Sequence, residues 1–209
     1  MLPIKDIYVK IQNHGRYFGV PSIFIEFSTD EDCTGTSMDA CIELFNKIKQ
    51  QYSKIRHVVI IGNTALMYRK KLEEFLSKIY DSNFKTTIVT SGEYPIINPL
   101  TKNVKIDLYL IDINTFNTSQ SYVNNLIDIV MRSNDYQFIF NYSQEILKTI
   151  EEYYTKMAVG VETNSDGEYF RRFYFNNHPN RHTLILHNNQ NIEEISELCI
   201  SKGWQMGNF

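Results

Sequence analysis

Short apolar runs alternate with helix-like segments along almost the whole 209-residue chain. The run His57–Ile61 ends at Gly62 and shows no polar alternation, which is typical of a strand buried on both faces of a parallel sheet. Before it, Cys41, Leu44 and Phe45 recur at helical spacing, which indicates an amphipathic helix. Strands that alternate with such helices require crossover connections. The sequence therefore predicts one α/β domain over residues 1–209, with a mainly parallel sheet.

The same patterns locate the individual elements. Residues 93–104 contain two prolines and no period, so a loop is expected there, and residues 163–180 show no clear period. The predicted helices run from Thr36 or Ser37 to about 52, and over 72–79, 118–130, 143–154 and 192–200. The predicted strands cover residues 7–11, 22–27, 57–61, 86–90, 106–111, 136–140, 157–161 and 183–186.

Composition and charge exclude several classes of protein. A net charge of −3 indicates no basic surface, so nucleic acid is disfavoured as a partner. No apolar run approaches the roughly 20 residues of a membrane span, and the amino terminus lacks the apolar core of a signal peptide. Three cysteines do not make a disulfide framework at this length, so a reducing, cytoplasmic setting is expected.

A series of short motifs carries a family resemblance. The segment 11–27 contains Gln12-Asn13-His14-Gly15 and Gly19-Val20-Pro21 before an apolar strand, and it resembles the opening of 7-carboxy-7-deazaguanine synthases. These are small radical S-adenosylmethionine enzymes of deazapurine biosynthesis. The likeness continues in register at Gly62-Asn63-Thr64-Ala65 and at residues 85–92, 107–112, 135–140 and 197–204.

The resemblance implies an incomplete (β/α) barrel of the radical S-adenosylmethionine type, with outer helices, and a homodimer. For the family it also implies a four-iron cluster, S-adenosylmethionine and magnesium. When one deletion is allowed, the three cysteines that hold this cluster in the family fall here on Asp30, Cys33 and Thr36. Because such a cluster needs three thiolates, one cysteine cannot hold it, and Cys41 and Cys199 are poorly placed substitutes. Radical chemistry and a cofactor are therefore not expected for this chain.

Other positions of the resemblance have also changed. The family glutamate that approaches the amino group of S-adenosylmethionine falls on Thr64. The family arginine expected near an acidic substrate falls on Glu26, which reverses the charge. We therefore predict vestigial cofactor or substrate positions at Gln12, His14, Glu26, Gly62, Asn63, Thr64, Ser91 and Asp112.

These losses favour a catalytically inactive relative that acts as a binding, structural or regulatory subunit. The alternative is a divergent enzyme of deazapurine or nucleotide metabolism, which binds a purine-like ligand at the barrel mouth in a pocket lined by Gln12, Gly62 and Ser91. A third hypothesis is a protein partner on an aromatic and basic segment, although an ordinary half-buried strand explains that segment equally well. Its residues are Tyr169, Phe170, Arg171, Arg172 and Phe173.

Two groups of potential metal ligands are incomplete. The carboxylates at 30–32 suit magnesium or calcium, but no calcium-loop pattern follows them, so a solvated acidic loop is favoured. His178, His182 and His187 lack an accompanying cysteine or carboxylate pattern, so surface histidines are favoured. Cys33 lies beside the carboxylates, which disfavour its thiolate, and an inert thiol is expected.

Overall fold

One eight-stranded sheet organises the part of the chain that the computed structural model describes, which is residues 1–13, 15–28, 35–62, 64–97, 104–113, 119–141, 148, 150, 183–187 and 192–208. The strands are β1 Ile4–Ile11, β2 Pro21–Phe27, β3 His57–Ile61, β4 Lys85–Thr90, β5 Leu108–Ile113, β6 Tyr136–Asn141, β7 Thr183–His187 and β8 Gln205–Asn208. The described helices are α1 Met38–Gln51, α2 Arg69–Ile79, α3 Gln120–Arg132 and α4 Ile192–Lys202.

The strands lie in the sheet in the order of the sequence. β1 and β2 are antiparallel, and every later pair from β2 to β8 is parallel. β1 and β8 stand at opposite edges, and no hydrogen bond joins them within the described residues, so the sheet is open. This architecture confirms the predicted incomplete (β/α) barrel with a mainly parallel sheet. It also brings the carboxyl ends of β2 to β8 together at one end of the sheet.

The two sides of the sheet have different surroundings. The helix side holds the main core, where Phe45 of α1 and Phe75 of α2 meet edge to face with ring centroids 6.5 Å apart. Burial of each phenylalanine stabilises the fold by roughly 1.5–3 kcal/mol. Alternate residues of each strand point to the opposite, inner side. That side has its own apolar cluster of Leu108, Leu110, Ile139 and Leu184, packed with Tyr17 and Val89.

Serine residues begin two of the helices that flank the core. The Ser37 hydroxyl accepts a hydrogen bond from the Ala40 amide at 3.2 Å, and it therefore caps α1. The Ser119 hydroxyl accepts one from the Tyr122 amide at 3.4 Å and caps α3. Of the two caps predicted for the first helix, Ser37 is the one used.

Three strands differ from the sequence prediction. β1 begins at Ile4, three residues earlier than expected. β5 begins at Leu108, two residues later than expected, because the Asp107 carboxylate accepts the Thr86 amide hydrogen at 2.9 Å in place of a main-chain carbonyl. β8 was not predicted, because Gln-Met-Gly-Asn has neither apolar alternation nor strong β-propensity. It begins directly after the turn at Gly203, which has a φ of 68°.

Some predictions fall outside the described residues. They are the helix over 143–154, of which only 148 and 150 are described, and the strand over 157–161. Among the helices that are described, none combines the length and the apolar character needed to cross a bilayer.

Candidate functional site

Five of the predicted site residues lie at or just beyond the carboxyl ends of strands β2 to β5. We call this end of the sheet the rim, and its residues are Glu26, Gly62, Thr64, Ser91 and Asp112. Gln12 lies at the opposite end, because β1 runs antiparallel to β2 and ends beside Pro21. We call that end the floor. The predicted pocket residues Gln12, Gly62 and Ser91 are therefore divided between the two ends.

Glu26 makes internal contacts on the inner side of β2. Its carboxylate accepts hydrogen bonds from Lys5 Nζ at 2.7 Å and from the Tyr8 hydroxyl at 3.1 Å. The bond from Lys5 lowers the pKa of Glu26, so the carboxylate is charged and neutralised within the chain. Burial, and then the bond to Glu26, raise the pKa of Tyr8 to about 12. Where the family has an arginine, this chain therefore has a carboxylate that is already paired with Lys5.

The turn after β3 lies very close to the end of β2. Gly62 has a φ of 116°, and a Cβ atom at this position would lie 2.7 Å from the Phe27 carbonyl oxygen. Two residues later, the Thr64 hydroxyl donates a hydrogen bond of 2.6 Å to the Ser28 carbonyl. The only polar atom of the Thr64 side chain thus joins the two loops that follow β2 and β3.

The ends of β4 and β5 contribute a hydroxyl and a carboxylate. Ser91 follows β4, and its carbonyl oxygen accepts a hydrogen bond of 2.9 Å from the hydroxyl of Tyr122 on α3. Its own Oγ is buried and has no hydrogen-bond partner among the described residues. Asp112 is half-buried near the end of β5 and points to the inner side, on the same strand face as Leu110.

The floor contains a buried polar network around His57. The side chain of Ser22 donates to the Val20 carbonyl at 2.9 Å and lies 2.7 Å from His57 Nδ1, while Thr87 Oγ1 lies 2.9 Å from Nε2. Because the single hydroxyl hydrogen of Ser22 is used, Nδ1 must donate and Nε2 must accept from Thr87. The Tyr17 ring covers the imidazole at 4.4 Å between centroids.

His57 is neutral in this network. Burial lowers its pKa to about 4, against a smaller opposite effect of Asp107. The sequence does not single out this residue, because the histidine stands at the head of the apolar run 57–61. A polar residue that begins a fully buried strand is the signal that indicates such a network.

The described residues do not fit an iron–sulfur cluster. At the third cluster position, the Thr36 amide and carbonyl both bond to Leu2, at 2.8 and 2.9 Å. Cys41 and Cys199 are 2% and 5% exposed in the core, and burial raises the pKa of both thiols. Within the described part of the chain, no three histidine, cysteine or acidic side chains converge on a metal site.

Several predicted positions lie outside the described residues. They are His14, Asp30, Cys33, Asn63, the aromatic segment 169–173, and two of the three histidines, His178 and His182. His187 lies in β7.

Comparison with known proteins agrees with the resemblance read from the motifs. A 7-carboxy-7-deazaguanine synthase from Koribacter versatilis (strain Ellin345) is 29% identical over 116 residues, which cover 50% of this chain and 50% of that protein. The chain resembles 7-carboxy-7-deazaguanine synthases. The crystal structure of QueE from Escherichia coli superposes with a TM-score of 0.57 at 18% identity, over 100% of this chain and 93% of that one.

The resemblance to 7-carboxy-7-deazaguanine synthases is thus confirmed in sequence, and the likeness to QueE shows the fold. The chain spans about half the length of the curated relative that it matches. No family model matches the sequence.

Proposed function

We propose that this chain is a non-catalytic relative of 7-carboxy-7-deazaguanine synthase that serves as a binding, structural or regulatory subunit. The observation that carries the proposal is that two polar side chains of the rim are hydrogen-bonded to other groups of the same chain. Glu26 is held by Lys5 and Tyr8, and Thr64 is held by the Ser28 carbonyl. Side chains that satisfy one another in this way hold loops together and leave fewer groups to polarise a substrate.

The cysteine positions support the same proposal. A four-iron cluster with one open iron needs three thiolates. The corresponding loop has only Cys33, and the described thiols of Cys41 and Cys199 point into the core in their protonated form. We therefore expect no resident cluster and no reductive cleavage of S-adenosylmethionine.

Anaerobic reconstitution with iron and sulfide tests the proposal. A 7-carboxy-7-deazaguanine synthase treated in parallel is the positive control. The expected result is substoichiometric iron, no broad visible absorption of a cluster, and no 5′-deoxyadenosine when S-adenosylmethionine and a reductant are added. Stoichiometric iron together with 5′-deoxyadenosine formation would overturn it.

A second function, ligand binding by a divergent enzyme of nucleotide metabolism, is favoured by Ser91 and Asp112. The Ser91 Oγ is buried and has no hydrogen-bond partner in the part of the chain that the structure describes, and the half-buried Asp112 lies near the end of the adjacent strand. A hydroxyl and a carboxylate are suited to the N–H groups of a purine-like ring. Titration calorimetry with guanine, adenine and S-adenosylmethionine tests this function. Saturable binding that Ser91→Val and Asp112→Asn each weaken would support it, and absence of heat with all three ligands would count against it.

A further inference from the structure

We propose that a cavity on the helix side of the sheet binds a small carboxylic acid with an apolar body. The cavity lies before the amino ends of β5 and β6, between the end of α3 and the segment 104–106. Together with its open mouth it measures about 340 Å³, which is within the range of small-molecule sites. It is at the floor and on the outer side of the sheet, so it is separate from the rim and independent of the function proposed there.

The cavity arises at the connection from β4 to β5. The described parts of this connection, residues 91–97 and 104–107, contain no helix. Extended chain fills less space over a strand than the side chains of a helix do, so a gap is left beside β5. Its apolar walls suit the hydrocarbon part of a ligand. These walls are Ile96, Ile97, Val104 and Ile106, which are between 2% and 7% exposed.

Tyr109 contributes a buried hydroxyl to the lining. The residue is 2% exposed and lies on the helix side of β5, and its oxygen has no hydrogen-bond partner among the described residues. Burial raises the pKa of Tyr109, against a smaller opposite effect of the Ile97 main chain, so the hydroxyl keeps its hydrogen. An amide hydrogen near the oxygen has that opposite effect, and an amide N–H cannot accept a hydrogen bond. The hydroxyl hydrogen of Tyr109 therefore lacks an acceptor.

Ser133 supplies a second hydroxyl of the same kind. It directly follows α3, and its amide bonds to the Ile129 carbonyl at 3.0 Å. Its Oγ is buried and makes no hydrogen bond within the described part of the chain. The next side chain, Asn134, donates to the Ile106 carbonyl at 2.7 Å. Because a buried hydroxyl without a hydrogen bond costs free energy, a ligand oxygen that accepts from Tyr109 and Ser133 would be bound favourably.

The charges around the cavity favour an anion. Lys105 and Arg132 belong to the lining, and none of the described lining residues is acidic. Each cation has one carboxylate neighbour, Asp107 at 3.1 Å from Lys105 and Asp128 at 3.3 Å from Arg132, and each keeps further N–H donors. Asp107 is shared with Lys85, so that group retains a positive charge. The last carbonyls of α3 disfavour an anion, but Arg132 in the same turn offsets this effect.

These features together specify the ligand. A carboxylate accepts several hydrogen bonds and is attracted by the two cations, while its hydrocarbon part covers the apolar walls. An ordered water would satisfy the hydroxyls but would use neither the walls nor the charges. The lining therefore fits a compact organic acid better than water alone.

Titration calorimetry on the full chain tests the site with 4-methylpentanoate and benzoate as probes. The primary amide of each acid is the matched ligand, because it keeps the shape and removes the charge. We expect at least one acid to bind with a dissociation constant of about 1 mM, and its amide to bind roughly tenfold more weakly. If neither acid saturates the chain at about 10 mM, the cavity holds only water and the proposal is overturned. An amide that binds as tightly as its acid would also overturn it.

Four variants locate the binding. Tyr109→Phe and Ser133→Ala each remove a hydroxyl whose hydrogen has no acceptor, so circular dichroism should be unchanged and acid binding should weaken by roughly tenfold. Lys105→Gln should also weaken binding. Lys85→Gln is the matched control, since both lysines bond to the Asp107 carboxylate but only Lys105 is in the lining. Unchanged binding in both hydroxyl variants, or equal losses in the two lysine variants, would place the acid elsewhere and overturn the proposal.

Discussion

The imidazole of His57 links β2, β3 and β4 through Ser22 and Thr87 while it carries no charge. In the neutral ring, Nδ1 donates to the Ser22 hydroxyl and Nε2 accepts from the Thr87 hydroxyl. A proton added to Nε2 would face the hydroxyl hydrogen of Thr87. Folding therefore selects the neutral ring.

We predict from this that acid destabilises the fold through His57. Its pKa is about 4 in the folded chain and near 6.5 when unfolded, so its stabilising contribution is full above 6.5 and is lost as the pH falls toward 4. Between pH 7 and pH 5 the free energy of unfolding should fall by about 2 kcal/mol through this group. Urea unfolding at both pH values measures it. His57→Gln should lose this part of the pH dependence, and an unchanged slope in that variant would assign the effect to other groups.

Gly62 must be a glycine for two reasons, its positive φ and the short distance from any Cβ atom at this position to the Phe27 carbonyl. We predict that Gly62→Ala lowers the free energy of unfolding by about 2 kcal/mol or more, because alanine resists a φ of 116° and its Cβ would approach the Phe27 carbonyl to 2.7 Å. Gly19→Ala is the matched control, since Gly19 also has a positive φ of 80° but no atom of the described residues lies within 4 Å of the added Cβ. Thermal unfolding should show the larger loss for Gly62→Ala. Equal losses would mean that the contact with Phe27 relaxes freely.

At the scale of secondary structure elements, helix α1 depends on its first turn. We predict that Ser37→Ala lowers the free energy of unfolding by about 1 kcal/mol, because the Ala40 amide loses its acceptor. Ser77→Ala is a suitable comparison, since Ser77 lies inside α2 and its exposed hydroxyl donates a hydrogen bond to the Glu74 carbonyl. Chemical denaturation should find that variant within about 0.5 kcal/mol of the natural chain. A comparable loss in both variants would contradict the capping role.

The elements that the sequence predicts well are those whose burial is one-sided or complete. β3 and α2 follow their apolar patterns closely, as do the helix faces of α1 and α3. The sequence does not predict β8, because pairing with β7, and not its own composition, holds this strand in the sheet. The start of β5 shifts because a side-chain carboxylate replaces a ladder carbonyl, which no hydrophobic pattern records.

For the candidate site, the sequence predicts which residues lie at the strand ends but not which hydrogen bonds they make. Family motifs place Glu26, Gly62, Thr64, Ser91 and Asp112 at one end of the sheet, and the parallel topology brings them there. Glu26 accepts hydrogen bonds from Lys5 and Tyr8, and Thr64 donates one to the Ser28 carbonyl. These three partners belong to no motif. The sequence also does not reveal that Gln12 lies at the far end, since this depends on the single antiparallel strand.

For the whole molecule, we predict that adding the two missing cysteines does not make the chain cleave S-adenosylmethionine. The double variant Asp30→Cys, Thr36→Cys should take up iron and sulfide and show cluster absorption, because three thiolates then stand in one short loop, with the first gap one residue shorter than in the family. It should still fail to cleave S-adenosylmethionine, since Thr64 has no carboxylate for the amino group. Product analysis for 5′-deoxyadenosine measures this. Cleavage by the double variant would show that the cysteines alone separate this chain from an active enzyme.

The antiparallel β1 has a practical consequence for work with this protein. β1 begins, and β8 ends, at the rim, and the Leu2 main chain is clamped to Thr36 there. A reporter domain fused to either described end would therefore crowd the same surface and pull on the loop after β2. A dye or an anchor attached through the exposed Phe18 turn at the floor would leave that surface open to whatever the chain binds.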